Sequence, residues 1–355
     1  MITYLDIPNN PHKFKQFYIT LQGCFISNKN TPPFPPKNYL TIIHKNKYLK
    51  AGIHKDSVKL GNTNLYWDGN YIKNPTKFDI VEDDLFLLYD DTSDNYAHFW
   101  FDVFGQLCYY DILKKTNPKL KLCLRQEDYV EKGRYDYIKQ VLDLCYPKET
   151  PFILKKDQFY KIKNLIIPNA FYWWPESTGH EPILDKIKQV ISNIKPIPVS
   201  SNGCYISRQD TIKYGWNHNR ILTNELELID KIKNKLNYDI IELMDYDIIG
   251  KIQIFKSYKN IIQQNGASNV NIIFSNHKNT HIILGHPQHS GWTGSKVLQF
   301  CKYVNSNLIL LNRGVSVSVK NLSVTHIVAN NVIGEYYSLD KLTKLLKKFH
   351  NILCE

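Results

Sequence analysis

Ile261-Ile-Gln-Gln-Asn-Gly-Ala-Ser-Asn-Val-Asn-Ile-Ile-Phe274 decides how the second half of this 355-residue chain is read. An apolar pair, Ile261-Ile262, runs into the turn Asn265-Gly266-Ala267-Ser268, and a helix-like segment over 267–274 follows. Strand, glycine turn and helix start in that order make a phosphate cradle possible, because backbone N–H groups converge there. Upstream stand Tyr205-Ile-Ser-Arg208, Arg220-Ile-Leu-Thr-Asn-Glu225 and Lys251-Ile-Gln253. Two arginines, an Asn-Glu pair, a Gln and a glycine turn thus recur at the ends of successive predicted elements. The pattern suggests a nucleotide-binding α/β domain.

Working outward, the elements alternate. Strand Cys204–Ser207 is followed by helix Glu225–Leu236, strand Ile240–Leu243 and helix Ile248–Lys259. Beyond the glycine turn come strand Ile282–Leu284, strand Leu308–Leu311, a late strand Val324–Ala329 and an amphipathic helix Leu339–Phe349. Alternation of this kind predicts a parallel sheet with helices on both faces, whose ligands bind beyond the carboxyl ends of the strands. Arg208 and Gly266 fall there. Lys195-Pro-Ile-Pro198 and Ser200-Ser-Asn-Gly203 mark the best domain boundary. The expected domains are therefore 1–199, 200–335 and a C-terminal helix over 336–355.

The first domain opens with a β-rich stretch, since short apolar runs from Leu40 to Ile72 alternate with Asn/Gly punctuation and read as antiparallel strands. Pro32-Pro-Phe-Pro-Pro36 reads as a loop. Phe86–Tyr89, Leu120–Leu124 and Leu165–Pro168 read as strands, and Tyr135–Cys145 and Ile183–Ile194 as helices. Between them Asn95-Tyr-Ala-His98-Phe-Trp-Phe-Asp102-Val-Phe-Gly-Gln-Leu107 predicts a helix with an aromatic face and Asp94 or Asn95 as N-cap. His98 and Asp102, four apart, project from one side of it. They read either as a structural pair or as a pair facing a cleft, with the carboxylate as general base.

Other signals carry less. Asp245-Tyr-Asp247 has the DxD form, but Asp247 reads as the cap of the following helix. Asn224 with Glu227 has capping-box spacing. His277, His281, His286 and His289 match no zinc signature and read as surface or loop residues. No GxSxG, P-loop, HExxH or kinase signature is present. The net charge of +12 favours polyanionic partners, phosphorylated small molecules included. The Lys/Asn/Ile/Tyr-rich composition, which an A+T-biased genome also produces, weakens lysine as evidence. Seven cysteines without a CxxC pair read as reduced thiols of a cytoplasmic protein. No stretch reaches the roughly 18 apolar residues of a membrane span.

Taken together, Asn95 to Asp102, Arg208, Arg220 to Glu225, Gln253, and Asn265-Gly-Ala267 with Asn271 and Phe274 resemble glycosyltransferase family 61 in order and approximate spacing. The resemblance covers roughly residues 90 to 290. It implies an α/β fold of GT-B type, two Rossmann-like domains facing a cleft, with the nucleotide-sugar held mainly by the C-terminal one. It implies an inverting transfer from a nucleotide-diphosphate sugar, UDP-linked, to a hydroxyl of a glycan or glycoprotein acceptor, with no metal or other cofactor. Asp102 becomes the expected base with His98 beside it. Arg208 and Arg220 become the expected diphosphate ligands. Gly266, Ala267 and Ser268 offer backbone N–H groups, and Asn224, Glu225, Gln253, Asn265 and Asn271 line the donor pocket. The family usually has His-Gly-Ala where this chain has Asn265-Gly-Ala267, and a Glu where it has Ile283-Leu-Gly-His286, so donor recognition there is expected to differ. A bacterium building surface polysaccharide, or a large DNA virus acting in its host's cytoplasm, suits such an enzyme. Two other classes fit parts of the sequence: a nucleotide-sugar-binding protein without transfer activity, and a polyanion-binding protein. The latter predicts steep salt dependence, and no nucleic-acid motif accompanies it.

Overall fold

The computed structural model describes residues 3–5, 18–27, 41–44, 47–51, 58–59, 65–71, 75–89, 95–129, 136–168, 181–209, 225–276, 278–284, 300–301 and 303–311. Two compact units divide the chain, Met1–Lys186 and Ile187–Glu355. The late strand expected at 324–329 and the helix expected at 339–349 lie outside the described residues.

In the first unit β1 (Thr3–Leu5), β2 (Tyr18–Ser27), β3 (Thr41–His44), β4 (Lys47–Ala51), β5 (Val58–Lys59) and β6 (Leu65–Tyr71) precede β7 (Asp79–Leu87). Then come β8 (Lys121–Arg125), β9 (Phe152–Leu154) and β10 (Phe159–Pro168), and all ten form one sheet. Its order is β5-β6-β4-β3-β2-β10-β7-β8-β9, with β1 on β2. Only β10, β7, β8 and β9 run parallel, and every other pairing is antiparallel. Connection length explains the split. Two residues join β3 to β4, which permits only a hairpin, whereas the span from β7 to β8 is long enough for a helical crossover. Cys24, Leu85, Cys123, Leu154, Ile162 and Leu165 are among the fully buried residues of its core.

β7 passes into α1 (Tyr96–His98), a π turn Phe99–Val103 and α2 (Gln106–Thr116). The single helix expected over 95–107 is therefore broken. Phe104 N–H donates to Phe99 O at 2.7 Å, five residues back rather than four. α3 (Asp136–Cys145) and α4 (Glu181–Ile191) complete the described helices before the second sheet. α2, β1, β2 and β9 were not anticipated from sequence. The strand expected at 165–168 begins six residues earlier, where Lys161 and Lys163 alternate with buried Tyr160 and Ile162.

The second sheet is parallel throughout. It comprises β11 (Gly203–Ser207), β12 (Asp239–Glu242), β13 (Asn260–Gln264), β14 (Thr280–Leu284) and β15 (Asn307–Leu311). α5 (Glu225–Leu236) connects β11 to β12, α6 (Ile248–Ser257) connects β12 to β13, and a 3-10 helix, Ala267–Phe274, follows β13. The order is β12-β11-β13-β14-β15. All five residues of β11, β13 and β14 are buried, as strands covered on both faces require. His281 is the correction here. Expected on a surface or loop, it is fully buried in β14 and stacks on Phe255 with ring centroids 6.3 Å apart. The flanking Thr280 and Ile282 extend the apolar strand through it, so the strand starts two residues before the predicted position. His277, His286 and His289 lie outside the described residues.

Candidate active site

The order of the second sheet places a topological switch between β11 and β13: the chain leaves β11 on one side for β12 and returns on the other for β13. In doubly wound sheets a crevice opens at the carboxyl ends of such a pair. Arg208 is the first residue after β11, and Asn265 the first after β13.

These two adjacent strand ends are built differently. The turn after β11 is satisfied from within. Glu225, 1% exposed at the first position of α5, accepts from the Arg208 backbone N–H at 2.8 Å, from the Tyr205 hydroxyl at 2.9 Å and from Gln209 Nε2 at 2.7 Å. Ser207 Oγ accepts from the Gln209 N–H at 3.1 Å. Gln264 Nε2 donates to the Tyr205 hydroxyl at 3.0 Å. Burial, with the Glu225 carboxylate beside it, pushes the Tyr205 phenol well above the ordinary tyrosine range, so the hydroxyl stays a donor.

The turn after β13 leads directly into a helix start. Asn265 is nearly buried, donates its N–H to Leu284 O at 2.9 Å, and accepts from Asn269 Nδ2 at 3.0 Å on its side-chain oxygen. The first bond of the 3-10 helix runs from Asn269 N–H to Gly266 O at 3.1 Å. The N–H groups of Gly266, Ala267 and Ser268 precede it, as the first N–H groups of any helix do, and these three residues are half-buried. Beside this turn lies Arg208, whose Nη1 donates to Asn265 O at 3.2 Å. A Cβ on Gly266 would stand 3.0 Å from Arg208 Nη1 and 3.4 Å from its guanidinium carbon. Gly266 is extended, so the glycine serves close approach rather than an unusual backbone angle. A guanidinium beside the first N–H groups of a helix is suited to a phosphate.

The other expected donor residues are more scattered. Asn271 is 1% exposed inside the 3-10 helix. Gln253 stands in the middle of α6, roughly 7–8 Å along the helix from Ile248, and its carbonyl accepts from Ser257 Oγ at 2.7 Å. Arg220 and Asn224 lie outside the described residues. Asp247 caps α6, accepting from the Gly250 N–H at 2.7 Å, as its place in the sequence suggested. Among the described residues no group of three or more His, Cys, Asp or Glu side chains converges as a metal cluster. No described helix is long and apolar enough to cross a membrane.

In the first unit, His98 and Asp102 follow the carboxyl end of β7. Asn95 is the N-cap of α1, its Oδ1 accepting from the N–H groups of Ala97 at 3.0 Å and His98 at 3.4 Å. His98 is half-buried, and Asp102 belongs to the π turn, its side chain lying outside the described residues. The frame is aromatic: Phe99, Trp100 and Phe104 pack edge-on or tilted at 4.9–6.5 Å, and Phe99 and Tyr96 meet Tyr137 of α3 at 5.5 and 5.0 Å. Gln106 closes the segment, donating to Tyr89 O at 3.1 Å and accepting from the Tyr89 N–H at 3.3 Å. The Arg125 guanidinium lies 4.7 Å over the Tyr89 ring and forks onto the buried Asp128 at 2.6 and 2.7 Å.

Gln106, Tyr205, Gln209 and Gln264 escaped the sequence reading. Tyr205 carried the one available signal, a phenol inside a buried strand, which needs a partner.

Residues 96–283 match the family model for Glycosyltransferase 61. No curated protein matches the chain. The matched span begins in α1, ends in β14, takes in both strand-end sites and exceeds half of the sequence. The chain belongs to glycosyltransferase family 61.

Proposed function

We propose that the protein transfers a sugar from a nucleotide-diphosphate donor, UDP-linked, to a hydroxyl of a glycan or glycoprotein acceptor, with inversion and without a metal. The observation that carries this is the Arg208 guanidinium beside the Gly266 turn, where the 3-10 helix starts, at the switch between β11 and β13. There the diphosphate gains a cation and backbone donors together, which is the charge compensation a divalent ion would otherwise supply. Arg220 is the second proposed diphosphate ligand. Asn224, Gln253, Asn265 and Asn271 belong to the proposed donor side. Glu225 serves it through Arg208, by holding that residue's N–H.

The step is a direct displacement. The acceptor oxygen bonds to the anomeric carbon as the bond from that carbon to the diphosphate oxygen breaks. The electron pair leaves with the diphosphate, where Arg208 and the N–H groups stabilise it. The hydroxyl proton passes to Asp102, the proposed general base, which His98 orients. In this reading the N-terminal domain takes the acceptor side, and the GT-B arrangement belongs to the same proposal.

Paired variants test it. Asp102→Asn is expected to abolish transfer, a loss of roughly 10²–10⁴-fold for a positioned base, while nucleotide affinity stays at the wild-type value. Arg208→Ala is expected to lose nucleotide affinity. Transfer surviving in Asp102→Asn would place the base elsewhere. Unchanged affinity in Arg208→Ala would remove the diphosphate site.

A further inference from the structure

We propose that Tyr205 is a positioning residue for the diphosphate site: its hydroxyl fixes the Glu225 oxygen that holds Arg208 and refers that oxygen to the end of β13. This rests on the diphosphate site proposed above and assigns the spacing of its two halves to one phenol. Tyr205 is fully buried in β11 and in register with Ile262, so it shares a sheet face with Gln264, the last residue of β13. Gln264 Nε2 donates to the Tyr205 hydroxyl at 3.0 Å, and that hydroxyl donates to Glu225 Oε1 at 2.9 Å. The same oxygen accepts from the Arg208 N–H at 2.8 Å. A relay of three hydrogen bonds thus runs from the residue before Asn265 to the backbone of Arg208.

Chemistry fixes the direction of this relay. An amide nitrogen only donates and a carboxylate only accepts, so the phenol takes the first bond on its oxygen and commits its one proton to Glu225. Burial beside that carboxylate keeps the phenol protonated. The terminal torsion of a glutamate is soft, so what holds the carboxylate decides where its oxygens stand. Its other two donors, the Arg208 N–H and Gln209 Nε2, belong to the turn being held. Tyr205 comes from the sheet itself. A phenylalanine there would keep the ring packing and lose the reference, leaving Arg208 free to drift against the glycine turn that shares its phosphate.

Calorimetric titration of the full chain with UDP, GDP and CMP, alongside denaturant unfolding, tests the proposal in wild type, Tyr205→Phe, Gln264→Leu and the double variant Tyr205→Phe/Gln264→Leu. Tyr205→Phe is expected to lower stability and to weaken the bound nucleotide roughly tenfold. Gln264→Leu leaves the phenol on Glu225 and should weaken binding by a smaller factor. The double variant separates positioning from folding. It removes the buried amide that Tyr205→Phe leaves without a partner, so stability should recover in part, while affinity stays at the Tyr205→Phe value. Wild-type affinity in Tyr205→Phe, or affinity that returns with stability in the double variant, would overturn the assignment and leave the diphosphate site standing. Failure of the wild type to bind any of the three nucleotides, or unchanged affinity in Arg208→Ala, would overturn the diphosphate site and this proposal with it.

Discussion

The strand ends of the two units hold their candidate groups by opposite means. After β7, His98 and Asp102 ride on a helical segment fixed by rings: Phe99, Trp100, Phe104 and Tyr137 pack around it, and Gln106 hydrogen-bonds Tyr89. After β11 and β13 the fixing is polar: Glu225, Tyr205, Gln209 and Gln264 hold one turn closed so that Arg208 can lie beside the other. Aromatic packing fixes the position of the segment without supplying a charge of its own. A buried carboxylate network fixes a charge, because the Arg208 N–H is held while its guanidinium stays outside. The difference matches the tasks proposed, proton transfer at one and charge compensation at the other.

The largest effect should come from the aromatic side. Trp100 is 2% exposed, and Trp100→Ala should lower unfolding stability by about 3–5 kcal/mol, as large-to-small core changes do. Denaturant titration measures the loss. Nucleotide affinity in the fraction that remains folded should not change, and a fall there would break the division of labour.

On the polar side, Glu225→Ala leaves the Tyr205 hydroxyl and the Arg208 N–H without their acceptor. A cost of about 1–3 kcal/mol is expected, this time accompanied by weaker nucleotide binding. Stability lost with affinity intact would show that the network supports the sheet and not the site.

His281 tests the same sheet away from its edge. It is fully buried, with neither ring nitrogen hydrogen-bonded among the described residues, and burial pulls its pKa down to about 3. The unfolded chain binds this proton near the ordinary value of about 6.5, and the folded chain does not. Its contribution is therefore present above about pH 6.5 and lost as pH falls towards 3. His281→Leu should raise stability by about 1–2 kcal/mol at neutral pH, and its advantage over wild type should widen by about 2 kcal/mol between pH 6.5 and 5. A constant difference across that range would contradict the burial of a neutral imidazole.

Gly266→Ala should have the smallest effect on folding and a selective one on binding. The added Cβ meets the end of a flexible arginine, so stability should move by less than about 1 kcal/mol. Nucleotide affinity should fall roughly tenfold, since the guanidinium must move away from the turn. A variant that binds as well as wild type would show that close approach there has no function.

The parallel sheet was legible because its strands are short apolar runs separated by helices, and α5 was read at the bounds it adopts, Glu225 to Leu236. Glycine after an apolar run marked the turn after β13 for the same local reason. The closed turn was not legible. Glu225 sits at the first position of a helix, where an acidic residue needs no explanation beyond the helix dipole, and its bond to the Arg208 N–H spans 17 residues. β2 escaped because its ten residues, Tyr18-Ile-Thr-Leu-Gln-Gly-Cys-Phe-Ile-Ser27, follow an aromatic- and Asn-rich stretch, and their order comes from pairing with β10 about 140 residues later. The π turn escaped too. Side-chain periodicity over five residues does not distinguish its i→i+5 bond from an α-turn.

The most direct test of the central claim is a thermal-shift panel of UDP, GDP, CMP, dTDP and their common sugars, with EDTA present, on wild type and Arg208→Ala. A ligand at about 100 times its Kd adds roughly 2.7 kcal/mol, a rise of several degrees for units of this size. The account predicts such a rise for one nucleotide class in the wild type, undiminished by EDTA and absent in Arg208→Ala. No rise with any nucleotide, or an equal rise in Arg208→Ala, would contradict it.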